Sequence, residues 1–570
     1  ILSGRHIALY DTSISAPESG LKGELRQSLR HRYQEALARE IRRIPVGDGT
    51  DLRIVLMFPA EYRIGMANLG FQLIYATFNA IRGVQCHRAF LPSPAEIAIA
   101  ERESLRSIET FEPINAYDIA AFSLSYENDL ANVLKMLRLG RIPVLREDRR
   151  PSDPLVIAGG IVATLNPEPI ASALDAVVLG EGESTCGLLV KDAVEAWAGM
   201  RNRDEVLRRF SRIPGVYIPS LYQAEYDESG VFGGLLPASG APDRLTRGVI
   251  ENLDDWPGSR VIHSPDIEFA DLHVVEVSRG CSNRCRFCII PNGYSRYRYR
   301  SAASVIEEAS HGPGHLRVGL MGAGTADHPD LHTICNALRA AGRTFSFSSL
   351  HASEIGKTFT ELVRLAGPRT LTIAPEAGSW RRRRKLGKLV TDDEILEAAR
   401  VAARTDIAYL KMYFMIGLPG ETVSDIEEIA VFCTSVLREI QSIQRGTAHS
   451  LRLSASVSCF VPKPHTAFER APMRTEKEYR DRMTHLVTQM RKIRHIRLTV
   501  DNPKSALIQG LIARGDRRLI GILDRIASGE QTWRQVFRSE RELIERHTFS
   551  RHALSDPLPW DHLRIGPERA

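Results

Sequence analysis

Between residues 52 and 183 the chain alternates short apolar runs with stretches whose apolar residues recur every three or four positions: LRIVLMF, FQLIYATFNAI, DIAAFSLS, ANVLKMLRLG, LVIAGG and DAVVLGEGE. Unbroken apolar runs of this length are the pattern of strands covered on both faces, and the longer period between them is helical. Four such strands separated by helices predict a parallel, doubly wound α/β sheet. A second alternating series starts at HVVEVSRGC and continues through LRVGLMG, TFSFSSL, RTLTIAPE, YLKMYFMIGLP and RLSASVSCFVP. Six strands in βα alternation predict a partial (βα)6 barrel, short of the closed eight-stranded form.

The flanking segments read differently. LKGELRQSLRHRYQEALAREIRRI sets Leu25, Leu29, Tyr33, Ala36, Leu37 and Ile41 near one helical face. Pro and Gly recur through RIPGVYIPSLY and GVFGGLLPASGAP, which predicts short strands and an irregular connector. IQGLIARGDRRLIGILDRIA opens a mostly helical C-terminal region. The expected units are a helical lead-in at 1–48, a doubly wound domain at 49–200, a connector at 201–269, the barrel at 270–500 and the C-terminal region at 501–570.

Composition narrows the class. The 570 residues are 43% hydrophobic and 25% charged, the norm of soluble globular chains, and no apolar stretch approaches the roughly 18 residues of a membrane span. A membrane partner is not expected. Against 69 acidic residues stand 75 basic ones, a formal charge of +6, too weak a field over this length to predict nucleic-acid binding. The opening ILSGRHIALYDTS shows no secretory leader, so the expected location is cytoplasmic.

Eight cysteines sharpen the picture. Cys86, Cys186, Cys335, Cys433 and Cys459 sit singly in apolar patterns and read as small buried hydrophobes. Cys281, Cys285 and Cys288 form CSNRCRFC, a CxxxCxxC just after the strand VVEVS and Gly280. Three thiolates can hold three corners of a [4Fe-4S] cluster and leave the fourth iron open. The competing reading is a three-cysteine zinc site completed by His273 or His311.

The string VEVSRGCSNRCRFC, with the aromatic- and Arg-rich segment after it, resembles the radical S-adenosylmethionine (SAM) superfamily over about 270–500. The resemblance implies that the open iron binds the amino and carboxyl groups of S-adenosyl-L-methionine. It assigns cofactor contacts to MGAGT, here Gly322 and Gly324 in place of the usual GGE form, to SFSSLHASEI around Ser348 and Ser349, to Glu376 in APEAGSWRRRRKLGK, and to Gly417 in MIGLPGET. Glu376 is then an acceptor for ribose hydroxyls or the SAM ammonium, or else a helix-start carboxylate. The run Arg381 to Arg384 reads as a solvated face with one arginine turned inward.

In the first domain, the turns after the strands read FPAEYRIGMANLG, SLSYEND, IAGGIVATLNPEP and GEGE, and in a doubly wound sheet such turns converge on one crevice. They resemble the Rossmann-like cobalamin-binding domain of B12-dependent radical SAM enzymes. Tyr62, Arg63, Asn68, Ser123, Ser125, Gly159, Gly160, Gly180 and Glu181 are the implied cobalamin contacts. The DxHxxG motif, whose histidine ligates cobalt from below, is absent. Arg63 stands there instead, either covering the lower cobalt face or pairing with Glu61 or Asp129.

Closer still is the resemblance to tryptophan 2-C-methyltransferases of thiostrepton-type thiopeptide biosynthesis. It implies transfer of a methyl group from SAM through methylcobalamin to a substrate carbon, C2 of L-tryptophan, with Arg63, Glu276 and Tyr294 as catalytic candidates and Tyr297 beside them. The implied partners are a small-molecule substrate and a reductant for cluster or cobalt. The rival expectations are radical methylation of an unactivated carbon through a 5′-deoxyadenosyl radical, and a cobalamin-binding sensor or scaffold with a vestigial barrel.

Overall fold

The computed structural model describes residues 21–197, 202–293, 296–348, 351–355, 359–405, 407–445 and 451–566. Six strands form the N-terminal sheet: β1 Leu52–Phe58, β2 Val84–Phe90, β3 Ile119–Ser123, β4 Leu155–Gly159, β5 Ala176–Val178 and β6 Val216–Tyr217, in the order β2-β1-β3-β4-β5-β6. The first five are mutually parallel. The last is antiparallel. Residue parity along β1 sorts its side chains between two cores, Val55 and Met57 in one and Leu52, Ile54, Leu56 and Phe58 in the other. Helices Leu69–Asn79 and Gly182–Trp197 contribute to the second core and helix Leu130–Leu139 to the first. The sheet is therefore doubly wound, and its strand order reverses between β1 and β3, where ligands lie in open α/β sheets.

Two strands exceed the expected four. The sequence of β2, VQCHRAF, carries polar residues at positions that the fold buries, which hides it from an apolar-run criterion. Each buried polar group is matched. His87 Nδ1 lies 2.7 Å from the Tyr117 hydroxyl, and the fully buried Arg88 meets Glu40 at 2.8 Å and Glu109 at 2.6 Å. Strand β6 is too short to carry a pattern. The lead-in helix spans Leu21–Ala38 and ends before Ile41, which instead pairs with the connector and is exposed.

The second alternating series folds as seven parallel strands: β7 Leu272–Glu276, β8 Arg317–Met321 and β9 Phe345–Phe347 in one sheet, and β10 Thr370–Glu376, β11 Tyr409–Ile416, β12 Arg452–Cys459 and β13 Ile496–Val500 in the other. One hydrophobic core joins them to their helices. The seventh strand escaped the pattern because it is an edge strand, half-exposed throughout with Arg497 and Thr499 outermost. Along β11 the side chains of Leu410, Met412, Phe414 and Ile416 are buried in that core, while Tyr409, Lys411, Tyr413 and Met415 alternate with them and stay accessible. The same alternation in β12 leaves Ser454, Ser456 and Ser458 accessible. The inner face of this half-barrel is polar and reachable, unlike the packed interior of a closed eight-stranded barrel.

The C-terminal helices Pro503–Arg514 and Leu519–Ser528 pack into the core of the N-terminal sheet. Arg517 meets Glu168 at 2.6 Å, and Asn166 donates to the carbonyls of Ala513 and Gly515 at 3.1 and 2.8 Å. Among the described residues no helix is long and apolar enough to cross a membrane.

Removing the Arg88 guanidinium strands two carboxylates in a dry interior. Arg88→Ala is expected to lower unfolding free energy by about 3–5 kcal/mol, read by urea denaturation followed by circular dichroism. A change below about 1 kcal/mol, the scale of an ordinary surface substitution, would show that Glu40 and Glu109 reach solvent instead.

Candidate functional site

The cysteine loop leaves the barrel at the end of β7. Ser278 and Arg279 pair antiparallel with Tyr299 and Arg298, closing the loop at its base. Gly280 follows with φ of 80°, and a side chain there would collide with the Arg296 carbonyl, so this turn accepts only glycine. Beyond it Cys285 is buried and Cys281 and Cys288 are half-buried. Asn292 braces the loop from inside, donating to the carbonyls of Cys288 at 2.7 Å and Cys285 at 3.4 Å. Asn283 Nδ2 lies 3.8 Å from Cys281 Sγ and 2.6 Å from His351 Nδ1.

Burial pushes the Cys285 thiol up to about 11, with Lys388 pulling against it, and the Cys288 thiol up to about 12. Both also feel the charge of Cys281 and of Glu376, which places the three sulfurs and that carboxylate in one neighbourhood. Thiols in such surroundings stay protonated until a metal displaces the proton. The donor set is soft and all sulfur, which fits an iron–sulfur cluster. The zinc reading loses its fourth ligand. His273 Nδ1 faces His263 Nε2 at 3.0 Å and its Nε2 faces the Glu308 carbonyl at 2.9 Å, while His311 turns to Glu308. Among the described residues no three His, Cys, Asp or Glu side chains converge as a single ion would need.

Around this loop the structure gathers the residues assigned to SAM. The Tyr297 hydroxyl donates to the Gly324 carbonyl at 2.8 Å, and Ser282 donates to Asp327 at 2.6 Å. Ser348 Oγ lies 3.3 Å from the Gly322 carbonyl. Glu376 ends β10 at a register shift, with φ of 69°, a conformation that is uncommon for a residue with a side chain and that concentrates at functional sites. Burial raises its carboxyl to about 7, with Lys388, 3.9 Å away, opposing. Gly417 has a different reason to be glycine: its backbone lies against the Tyr479 ring and its amide donates to Glu421 at 2.8 Å. Tyr294 and Ser349 lie outside the described residues. Asn283, His351 and Lys388 lie inside the motif strings and Asp327 just beyond MGAGT, and their spatial convergence is what marks them.

Two expectations about charge are corrected here. Glu276 is no free base. Both its oxygens accept from arginine, Arg279 at 2.7 and 3.0 Å and Arg300 at 3.0 Å; burial raises its carboxyl, but those two guanidinium groups outweigh burial and hold it below the usual range. The arginine run is not a solvated face with a single inward member. Arg382 and Arg383 are both buried, Arg382 donating to the carbonyls of Gly420 and Pro419 and Arg383 to those of Val390 and Ala377. Turn carbonyls cut off from water need such donors.

On the N-terminal domain, the turns after β1 and β3 meet at the strand-order reversal. Asn68 caps helix Leu69–Asn79 by accepting from Phe71 N at 2.9 Å and donates to Ser125 at 3.1 Å. Ser123 and Gly159 are register partners at the ends of β3 and β4 and are half-buried. A Cβ on Gly159 would meet only ordinary van der Waals contacts, with Val178 at 3.6 Å, so the protein itself does not require glycine there. Gly160 has φ of 100° and a Cβ there would stand 2.5 Å from the Leu124 carbonyl, so its glycine serves the turn. Gly180 lies against the Gly248 backbone. The Tyr62 hydroxyl is spent on Glu40 at 2.7 Å. Arg63 is 58% exposed and lies 3.4 Å from Glu268 of the connector, rather than from Glu61 or Asp129. Glu181 does not line a free crevice. It accepts from Arg298, Arg279 and the Ile250 amide.

The two rims face each other. Lys463, in the loop after β12, pairs with Glu127 in the turn after β3, and Gln509 donates to the same carboxylate at 2.9 Å. His465 Nε2 lies 2.9 Å from the Leu165 carbonyl. Beside Glu127, Asp129 heads helix Leu130–Leu139 without a capping hydrogen bond. Burial and the Glu127 charge push its carboxyl up to about 7.

Comparison with known proteins follows this division. Residues 275–433 match the radical SAM superfamily, and residues 70–219 match the N-terminal region of radical SAM proteins. An uncharacterized protein of Methanocaldococcus jannaschii is 27% identical over 83% of this chain and 90% of its own. The tRNA-2-methylthio-N(6)-dimethylallyladenosine synthase of Chlorobium phaeobacteroides is 27% identical over 30% of this chain, which spans 37% of that enzyme. Among solved structures, the cobalamin-dependent S-adenosylmethionine radical enzyme OxsB with aqua-cobalamin bound aligns with a TM-score of 0.47 at 14% identity, over 78% of this chain and 62% of that one.

Replacing Cys281, Cys285 and Cys288 together by Ala is expected to abolish the iron–sulfur absorption near roughly 400 nm after anaerobic reconstitution; retention of about four irons per chain would overturn the ligand assignment. Glu376→Gln removes one charge-assisted contact and is expected to weaken SAM binding by about tenfold or more. Equilibrium dialysis of the cluster-loaded protein measures it, and unchanged affinity would take Glu376 out of the SAM site.

Proposed function

We propose that this radical SAM protein is a cobalamin-dependent C-methyltransferase acting on a small molecule, with C2 of L-tryptophan, which the sequence resemblance implies, as the substrate carbon. The observation that carries the reading is the contact between the two rims: the turn after β3 meets the loop after β12 through Glu127–Lys463, and the turn after β5 meets the base of the loop bearing the three thiols through Glu181–Arg279.

Cys281, Cys285 and Cys288 hold the cluster, and the strip of Gly322, Gly324, Ser348 and Glu376 receives SAM. The strand ends at Ser123 and Gly159, with the Asn68–Ser125 pair, receive cobalamin, which supplies a cobalt able to take up and release a methyl group. In this reading Arg63 takes the place of the histidine of the absent DxHxxG motif. A site enclosed between the two rims would exclude bulk water, which strengthens every electrostatic contact inside it. The accessible face of β11 and β12, with Lys411, Tyr413, Ser456 and Ser458, offers donors for a polar substrate. An electron-rich carbon such as indole C2 loses a proton during methylation. Glu276 is saturated by arginine, whereas the Asp129 carboxylate combines an uncapped position with a proton affinity matched to neutral pH, the property a general base needs.

The reading is tested by anaerobic reconstitution with iron, sulfide, SAM, cobalamin and a substrate panel that includes L-tryptophan, with nucleosides and methylated products quantified by liquid chromatography. One S-adenosylhomocysteine per methylated product, with little 5′-deoxyadenosine, is the expected outcome. One 5′-deoxyadenosine per methyl group would replace it with the radical route, and methylation of other panel members but not tryptophan would overturn the substrate.

A further inference from the structure

The cluster loop is anchored outside its own domain. Its base is the two-residue ladder of Ser278–Arg279 with Arg298–Tyr299, and one carboxylate of the N-terminal domain, Glu181, takes both arginines of that ladder, Arg279 at 3.3 Å and Arg298 at 2.9 Å. A second carboxylate from the same turn, Glu183, pairs with Arg279 Nη2. Arg279 thus spreads one guanidinium over Glu276 of the barrel and Glu181 and Glu183 of the other domain. All of these side chains are close to fully buried. Charges so placed hold their geometry only while every partner is present. Two residues after Arg279 comes Cys281.

We propose that the N-terminal domain supplies positioning residues of the cluster site: Glu181 and Glu183, through Arg279 and Arg298, set the base of the loop that carries Cys281, Cys285 and Cys288, so that cluster uptake depends on the two domains being docked. A loop held only by its own barrel would leave three thiols to find one geometry at full conformational cost. Fixing both ends of the loop to one carboxylate lowers that cost before iron arrives. The two glutamates of GEGE thereby act on the cluster, although neither touches it.

The inference rests on the cluster reading of the three cysteines, and its test separates the two. The full chain and its Glu183→Gln, Arg279→Lys and Asp175→Asn variants are reconstituted anaerobically at limiting iron and sulfide, and iron per chain is measured. Amide exchange of peptides covering 281–293 is followed in the metal-free proteins. Asp175 precedes β5 at the opposite end of the sheet, where it pairs with Arg149 at 2.9 Å and Arg203 at 2.9 Å, and controls for general loss of stability. Glu183→Gln and Arg279→Lys are expected to hold roughly a tenth of the wild-type iron, the scale on which outer partners change metal affinity, and to exchange faster in that peptide. Lysine keeps the charge of Arg279 but cannot bridge three carboxylates, so its failure reports geometry. Asp175→Asn is expected to retain iron and slow exchange. Wild-type iron and exchange in the first two variants, or equal loss in all three, would overturn the proposal. A wild-type chain that takes up no iron would instead overturn the cluster reading.

Discussion

A buried network of carboxylates and guanidinium groups holds the two halves of this molecule in register. Glu181, Glu183 and Glu276 meet Arg279, Arg298 and Arg300 at the seam between the N-terminal sheet and the barrel. Removing ions from water is costly, and their mutual attraction recovers that cost only with close, multiple contacts. The seam meets the condition, since Glu276 and Glu181 each accept from two arginines. A hydrophobic seam would tolerate sliding. One built on fixed forks of donors does not, and the loop carrying the three cysteines starts from it.

From that constraint the rest of the site takes its form. With the seam fixed, the switch point of the sheet lies opposite the barrel rim, and Lys463–Glu127 and His465–Leu165 complete the contact on the other flank. The half-barrel remains open inside because β11 and β12 spend their apolar residues on the outer helices and turn serine, tyrosine and lysine inward. Backbone strain is stored at Glu376, where the strand breaks register with φ of 69°. The same residue carries a carboxyl made reluctant to ionise by burial. Strained backbone and perturbed carboxyls concentrate at functional sites.

The arginines illustrate how local pattern and tertiary role part company. A run such as Arg381 to Arg384 has the composition of a solvated face, yet Arg382 and Arg383 are buried on turn carbonyls. Glycines divide in the same way. Gly160, Gly180 and Gly417 are required by neighbouring protein, whereas at Gly159 a Cβ would meet only ordinary contacts.

Hydrophobic periodicity by itself determined the alternation of strand and helix, and hence a doubly wound sheet followed by a parallel half-barrel, because burial of apolar faces is a local signal that repeats at fixed spacing. Cysteine spacing likewise determined the cluster loop, since three thiols within eight residues need no distant partner. The sequence did not disclose β2, whose Arg88 and His87 are interior only because Glu40, Glu109 and Tyr117 arrive from elsewhere. Nor did it disclose that Glu276 is saturated, that Glu181 serves the seam, or that Arg63 meets Glu268. The partners in these pairs lie up to 205 residues apart. A charge in a sequence states only what it can bond; which partner it meets is decided by packing, because Coulomb attraction acts through space and desolvation depends on everything that surrounds the pair.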